Sequence, residues 1–161
     1  MLNTDGAARG AMGPAGAGGV LRDNLGNWIV GFFENLGHCS AIKAEVQAVF
    51  RGLKVAREKS IQKLWLQVDS KVVVSMLTTH TKGHLEYNNL LHQCQKLLNW
   101  GGWEVMVSHC FREANQVVDQ LANMGIEGSL GVTMYPIPPM ETRAVLYADN
   151  VGVVWPRRFN H

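Results

Sequence analysis

The stretch LNTDGAARGAMGPAGAGGVLRD, residues 2–23, decides the fold. It begins like a strand, reaches Asp5, continues as a run of glycine and alanine, and ends in a second strand over residues 14–21. Asp23–Asn27 supplies turn residues and Trp28–Phe33 has the pattern of a third strand, so the segment predicts an antiparallel meander. The glycines indicate bulges or the close approach of another backbone. No helix follows them directly, which excludes a dinucleotide-binding loop.

The chain after this meander alternates between helix and strand. The pattern predicts a helix over 40–58, a strand over 63–69, helices over 70–78 and 85–99, a strand over 103–109 and a helix over 113–125. Ser40 is a candidate N-cap of the first helix, and either Asp69 or Ser70 is a candidate N-cap of the second. Leu85 is expected among the inward side chains of the third helix. This order predicts an α/β protein with a mixed sheet covered by helices.

The pattern weakens after residue 127. The segment YPIPPMETR, residues 135–143, is interrupted by prolines that disfavour both helix and strand. We therefore expect one domain over residues 1–127 and a tail over 128–161. The tail is expected to pack back through Leu146, Tyr147 and Trp155.

The bulk composition excludes several classes of protein. Of 161 residues, 47% are hydrophobic and 17% are charged, which is typical of one globular domain rather than of a disordered chain. The net charge of +2 permits a nucleic-acid partner without arguing for one. The cysteines have neither a disulfide pattern nor zinc-ligand spacing. The chain has no long apolar run and no secretory signal, so we expect no membrane partner and a place in the nucleus or cytoplasm. We also expect a monomer.

Four acidic residues stand out by position: Asp5, Glu45, Asp69 and Asp119. Each has an ordinary explanation, as a turn residue, a helix-boundary residue, an N-cap or a solvated helix acid. Together they form a different pattern if the first and fourth strands are neighbours, because Asp5 and Asp69 then meet at adjacent strand ends. Crowded carboxylates raise one another's pKa, and a divalent cation relieves that repulsion. Oxygen ligands suit Mg²⁺ or Mn²⁺, and a pair of such ions suits phosphodiester chemistry.

Four segments in order carry a resemblance to a known family: NTDGAARGAMGPAGAGGVLRD, SAIKAEVQAV, VDSKVVV and SHCFREANQVVDQLA. The chain resembles ribonuclease H of type 1, and especially the reverse-transcriptase-associated ribonuclease H-like domains of plant retroelements. The resemblance covers about residues 2 to 127. It implies a ribonuclease H-like fold, with a five-stranded mixed sheet in the order 3-2-1-4-5 and helices on both faces.

The resemblance also implies an activity and a partner. The activity is metal-dependent endonucleolytic hydrolysis of the RNA strand of an RNA–DNA hybrid, with two Mg²⁺ or Mn²⁺ ions. Asp5 then bridges both ions, Glu45 and Asp69 complete the ligands of one ion, and Asp119 serves the other. His109 or Arg112 is expected to assist catalysis. Substrate contacts are expected from the residues that follow the first and third acids and from the REAN segment: Gly6, Ala7, Ser70, Lys71 and Asn115.

A second function stays open at this point, a non-catalytic nucleic-acid-binding or interaction domain derived from such an enzyme. Residues 11–13 are AMG where the family has Asn-Pro-Gly, which removes an amide that contacts the hybrid. The first strand also starts only a few residues before Asp5. That start predicts unpaired backbone groups on the two neighbouring strands beyond Met1.

Overall fold

The computed structural model of the protein describes residues 1–79, 84–111 and 115–147. Its centre is one sheet of six strands: β1 Leu2–Ala8, β2 Pro14–Arg22, β3 Trp28–His38, β4 Lys63–Val68, β5 Glu104–His109 and β6 Gly131–Tyr135. The strands lie in the order β5-β4-β1-β2-β3-β6. The pairs β1–β2, β2–β3 and β3–β6 are antiparallel, whereas β1–β4 and β4–β5 are parallel. The predicted mixed sheet and the order 3-2-1-4-5 are confirmed.

The sixth strand corrects the predicted strand count. β6 pairs with the outer edge of β3, with Phe33 opposite Thr133 and Glu34 opposite Val132. Its five residues begin with Gly131 and run into a proline-rich segment, and the run is too short to reveal a strand by alternation alone. The strand forms because the edge of β3 supplies the backbone partners. The domain boundary at residue 127 stays a prediction.

Within the described ranges, four α-helices lie against the sheet: α1 Ala41–Glu58, α2 Lys71–Thr79, α3 Asn88–Leu98 and α4 Gln116–Glu127. The larger apolar cluster joins α1, α2 and α3 to one face of the sheet, through residues such as Leu53, Val73 and Leu91. A second cluster joins Val118 and Leu121 of α4 to Val20 and Phe33 on the other face. Helices therefore cover both faces, as predicted.

The predicted helix starts are confirmed for α1 and α2 and wrong for α3. Ser40 Oγ accepts a hydrogen bond from the Lys43 N–H at 3.1 Å. Ser70, rather than Asp69, caps α2 by accepting from the Val73 N–H at 3.3 Å. Leu85 is 93% exposed, because it lies in a turn closed by the hydrogen bond from the Tyr87 N–H to the His84 oxygen, ahead of α3.

The glycines of the opening stretch let helices approach the sheet closely. A Cβ at Gly6 would lie 2.3 Å from the Ala44 carbonyl carbon in α1. A Cβ at Gly18 would lie 2.6 Å from the Ala122 nitrogen in α4. The predicted close backbone approach is therefore made by two helices, one on each face of the sheet.

The start of β1 leaves a groove between its neighbours. β1 pairs with β4 from Leu2 opposite Leu66 to Thr4 opposite Val68, so residues 63–65 pair with β5 and with no described residue on their other side. The Met1 ammonium donates to the Arg22 oxygen at 2.8 Å. A groove of about 1210 Å³ lies beside Met1, between the end of β2 and the start of β4.

The tail is described as far as residue 147. Leu146 packs against the cluster of α4, as predicted, whereas Tyr147 is 73% exposed and Trp155 lies outside the described residues. The cysteines Cys39, Cys94 and Cys110 are free and buried. Within the described ranges, no helix is both long and apolar enough to cross a membrane.

Candidate active site

The site begins where β1 and β4 separate. The last residues paired between these parallel strands are Thr4 of β1 and Val68 of β4. Asp5 directly follows Thr4, and Asp69 directly follows Val68. β4 ends there, whereas β1 continues along β2 as far as Ala8. The expectation that Asp5 ends its strand is therefore wrong, because β2 continues to pair with β1 after β4 has ended. The predicted neighbourhood of Asp5 and Asp69 is confirmed.

Helix α1 brings a third carboxylate to this point. Glu45 lies in the first part of α1, where the helix backbone rests on Gly6. Asp5, Glu45 and Asp69 each offer a carboxylate oxygen, and these oxygens all lie within 4.8 Å of one another. Asp5 is 6% exposed, and the other two residues are half-buried. Oxygen ligands at this spacing fit a hard divalent cation such as Mg²⁺ or Mn²⁺.

Asp119 reaches the same cluster from the opposite face of the sheet. It lies on the exposed side of α4 and does not belong to the tight group of three oxygens. Its carboxyl group nevertheless acts on Asp5 through both its charge and a side-chain hydrogen bond. All four predicted acids therefore meet, with Asp5 at the centre.

The electrostatics of the cluster centre on Asp5, whose ionisation is opposed by burial and by the neighbouring carboxylates. Burial raises the pKa of the Asp5 carboxyl to about 8, with further contributions from the charges of Asp69, Asp119 and Glu45. The Gly6 N–H donates to Asp5 Oδ1 at 3.0 Å, and this hydrogen bond does not offset the repulsion. A divalent cation would neutralise these carboxylates, so the donor set and its charge both fit a metal ion.

Residues 3–125 match the family described as reverse transcriptase-like. The chain belongs to this family. It is 41% identical over 157 residues to an Arabidopsis thaliana protein whose name assigns it provisionally to ribonuclease H. That match covers 98% of this chain and 25% of the relative, so the chain spans about a quarter of the relative's length.

Two further proteins show the same likeness. The ribonuclease H of Polynucleobacter asymbioticus is 28% identical over 141 residues, covering 79% of this chain and 89% of that protein. The crystal structure of RNase H1 from the archaeon Halobacterium salinarum superposes with a TM-score of 0.73 at 26% identity, covering 80% of this chain and 97% of that one. The resemblance to ribonuclease H and the predicted fold are confirmed.

The two candidate assisting residues of this ribonuclease H-like domain differ in what can be said of them. His109 Nε2 lies 3.1 Å from the backbone oxygen of Asp69, and its ring meets Phe111 edge-on at 5.7 Å between centroids. His109 therefore contacts the backbone of a carboxylate residue, and its role in catalysis stays a prediction. Arg112 lies outside the described residues.

The candidate substrate residues fall into two groups. Lys71 is exposed at the start of α2, and Ser70, Gly6 and Ala7 are half-buried, so their contacts with a substrate stay a prediction. Asn115 is 1% exposed, and its side chain bonds to the protein's own Asn3 and Thr4. The expectation that Asn115 contacts substrate is therefore wrong for this structure, because burial leaves its amide no access to solvent.

Sequence reasoning missed three residues next to the carboxylates. Asn3 and Gln67 are buried polar side chains in the strands that carry Asp5 and Asp69. Cys110 follows β5, where burial and the nearby charges of Asp69 and Asp5 raise the pKa of its thiol to about 12. The thiol therefore stays protonated at neutral pH. An available signal was the amide residue two positions before each of Asp5 and Asp69.

Proposed function

We propose that the chain is a metal-dependent endonuclease that hydrolyses the RNA strand of RNA–DNA hybrids. The observation that carries this proposal is the meeting of Asp5, Glu45 and Asp69, brought together from β1, α1 and the end of β4. Asp119 adds a fourth carboxylate from α4. The names of the relatives support the reaction class, since two of them are ribonucleases H.

The residues divide naturally between two cations. Asp5, Glu45 and Asp69 would hold one ion, and Asp5 with Asp119 would hold the second. Two Mg²⁺ or Mn²⁺ ions held by these residues would supply the positive charge that a phosphodiester displacement needs. Asp5 is suited to bridge them because it is the most buried of the three clustered residues and interacts with every other acid of the site.

The surroundings of the acids supply candidate contacts to the nucleic acid. Lys71 places an exposed cation two residues after Asp69, at the start of α2. Ser70, Gly6 and Ala7 would add contacts to the sugar-phosphate backbone. Such contacts position a hybrid without reading its sequence, and recognition of the 2′-hydroxyl distinguishes RNA from DNA. His109 or Arg112 would assist catalysis, and we expect the chain to act as a monomer.

A cleavage assay tests the proposal. The wild-type chain is incubated with end-labelled RNA–DNA hybrid in Mg²⁺ or Mn²⁺, alongside RNA duplex and DNA duplex of the same sequence. We expect endonucleolytic cuts in the RNA strand of the hybrid, none in the duplexes, and none in EDTA. Asp5→Asn should abolish cleavage. Glu127→Gln is the matched control, because it removes an acid that forms an exposed ion pair with Arg9 on the far end of α4.

Absence of cleavage by a folded wild-type chain would overturn the nuclease proposal. A gel-shift experiment with the same hybrid then decides the alternative, because a non-catalytic binding domain retards the hybrid without cutting it. A chain that neither cuts nor retards the hybrid contradicts both the nuclease and the nucleic-acid-binding function, and leaves only the interaction domain.

A further inference from the structure

Beneath the carboxylates lies a layer of amides. Asn3 precedes Asp5 by two residues on β1, and Gln67 precedes Asp69 by two residues at the end of β4. Asn115 precedes Asp119 by four residues at the start of α4. A spacing of two on a strand and of four on a helix keeps side chains on the same face. Each of these three elements therefore carries an amide next to its acid, and we call Asn3, Gln67 and Asn115 the amide layer.

The amide layer is buried and internally bonded. Asn3 Nδ2 lies 3.3 Å from Gln67 Oε1 and 3.3 Å from Asn115 Oδ1, so one amide group joins the other two. Asn115 Nδ2 donates to the Thr4 oxygen at 3.2 Å. The exposed fractions are 3% for Asn3, 6% for Gln67 and 1% for Asn115. These bonds connect β1, β4 and α4 directly below the residues that carry the charge.

Stability alone does not explain this arrangement. An asparagine before a helix usually accepts a hydrogen bond from the first turn, and Asn115 makes no such capping bond. Its amide bonds to β1 instead. Asn3 Oδ1 is buried without a hydrogen-bond partner, which costs free energy that an apolar residue would not cost. Residues that are unfavourable for stability are expected where geometry has to be fixed for function.

The packing of α4 shows why its position needs fixing. The surface of β2 beneath the helix includes Gly18, whose missing Cβ allows the helix backbone to lie directly on the strand. A surface that contains glycine offers few side-chain ridges, so little packing prevents the helix from sliding along its own axis. The hydrogen bonds from Asn115 to Asn3 and Thr4 hold the start of the helix against β1, one helical turn before Asp119.

We propose that the amide layer is a positioning device, which sets the place of Asp119 relative to Asp5 and thereby the affinity of the site for a divalent cation. The inference rests on the proposed function only in taking the four acids as the cation site. Asn115 touches neither substrate nor the reacting atoms, and acts through Asp119.

Binding of Mn²⁺ alone, measured by calorimetry, tests the inference without any nucleic acid. Asn115→Ala should weaken Mn²⁺ binding about 10-fold or more, the effect usual for residues that orient metal ligands. Asn99→Ala is the matched control, because the exposed Asn99 side chain donates to the Gln95 oxygen at the end of α3, a helix that carries none of the four acids. It should change the affinity by less than about 2-fold. Gln67→Met, which removes one acceptor and preserves volume, is the milder second variant and should weaken binding several-fold.

A double-mutant cycle separates positioning from a merely structural role. In an Asp119→Asn background, Asn115→Ala should leave the Mn²⁺ affinity unchanged within about 2-fold, because residues that act through one another are not additive. It should still lower the melting temperature in EDTA. The inference is overturned if both Asn115→Ala and Gln67→Met melt earlier but bind Mn²⁺ like the wild type, or if the loss persists fully without the Asp119 carboxylate. A wild-type chain that binds Mn²⁺ but cuts no hybrid refutes the proposed function and leaves this test intact.

Discussion

Asp5 and Asp69 are the first residues beyond the last pair of the β1–β4 ladder, which joins Thr4 to Val68. The two acids therefore lie side by side at the point where one strand ends and the other continues. Parallel pairing places both carboxylates at the same edge, and the third and fourth acids are brought there by helices on opposite faces. This geometry leads to four predictions.

Stability without metal should fall as the pH rises. The pKa of Asp5 is raised from 3.8 in the unfolded reference to about 8 in the folded chain. The folded state therefore holds a proton that the unfolded state has lost between these values, and stability decreases with pH across that window. Thermal melts in EDTA between pH 4 and pH 9 should show this decrease. Asp5→Asn should flatten it and stabilise the apo chain at pH 8 by at least about 1 kcal/mol, the equivalent of roughly one pKa unit. An apo variant that melts below the wild type at pH 8 would contradict the prediction.

Gly6→Ala should damage the site by moving a helix. The new methyl group would lie 2.3 Å from the Ala44 carbonyl carbon and from the Glu45 nitrogen, so α1 has to shift away from β1. We expect a loss of about 1–3 kcal/mol in unfolding free energy, typical of overpacking, together with weaker Mn²⁺ binding because Glu45 moves away from Asp5. Urea unfolding and calorimetry measure the two effects. Gly101→Ala is the control, because nothing lies within 4 Å of its added Cβ. Equal unfolding free energies for wild type and Gly6→Ala would show that α1 adapts.

His109 should act partly by holding the backbone of Asp69. Its Nε2 lies 3.1 Å from the Asp69 oxygen, which it can hold only when that nitrogen carries a proton. His109→Leu should reduce kcat for hybrid cleavage about 10-fold or more, as for other groups that orient metal ligands. His109→Gln should restore part of the rate, since its amide can also donate. If the glutamine variant is as slow as the leucine variant, the histidine contributes through its proton chemistry rather than through this bond.

Residues added before Met1 should stabilise the sheet. The Met1 ammonium lies at a groove where residues 63–65 of β4 pair only with β5, and burial together with the Arg22 charge lowers its pKa. Five to eight β-prone residues fused to Met1 can continue β1 and move the charge outward. Each buried hydrogen bond regained is worth about 1 kcal/mol, or about 2–4 °C for a chain of this size.

A glycine–serine extension of the same length is the control for this last change, because it moves the charge without favouring a strand. Differential scanning calorimetry compares the three chains. Identical melting temperatures for all of them would show that the gap beside Met1 carries no cost.

The order of the first five strands, of the four helices and of the four acids could be predicted from the amino-acid sequence. Strand and helix periods are local properties, and they separate an alternating run such as residues 63–69 from a helical run such as 40–58. The resemblance supplied the sheet order, which pairing then confirmed. Ser40 as the N-cap of α1 was also predictable, since a cap depends on neighbours within one turn.

Only the tertiary structure decided the features that depend on distant partners. β6 forms because β3 has a free edge, and Leu85 lies outside α3 because a turn begins the segment. Asn115 lies in a polar segment that predicts an exposed side chain. It is buried because its amide bonds to Asn3 and Thr4, which are more than a hundred positions away in the chain. A local sequence pattern indicates which secondary structure a residue favours. The contacts across the sheet decide what the residue touches, because packing brings together β1, β4 and α4 from separate parts of the sequence.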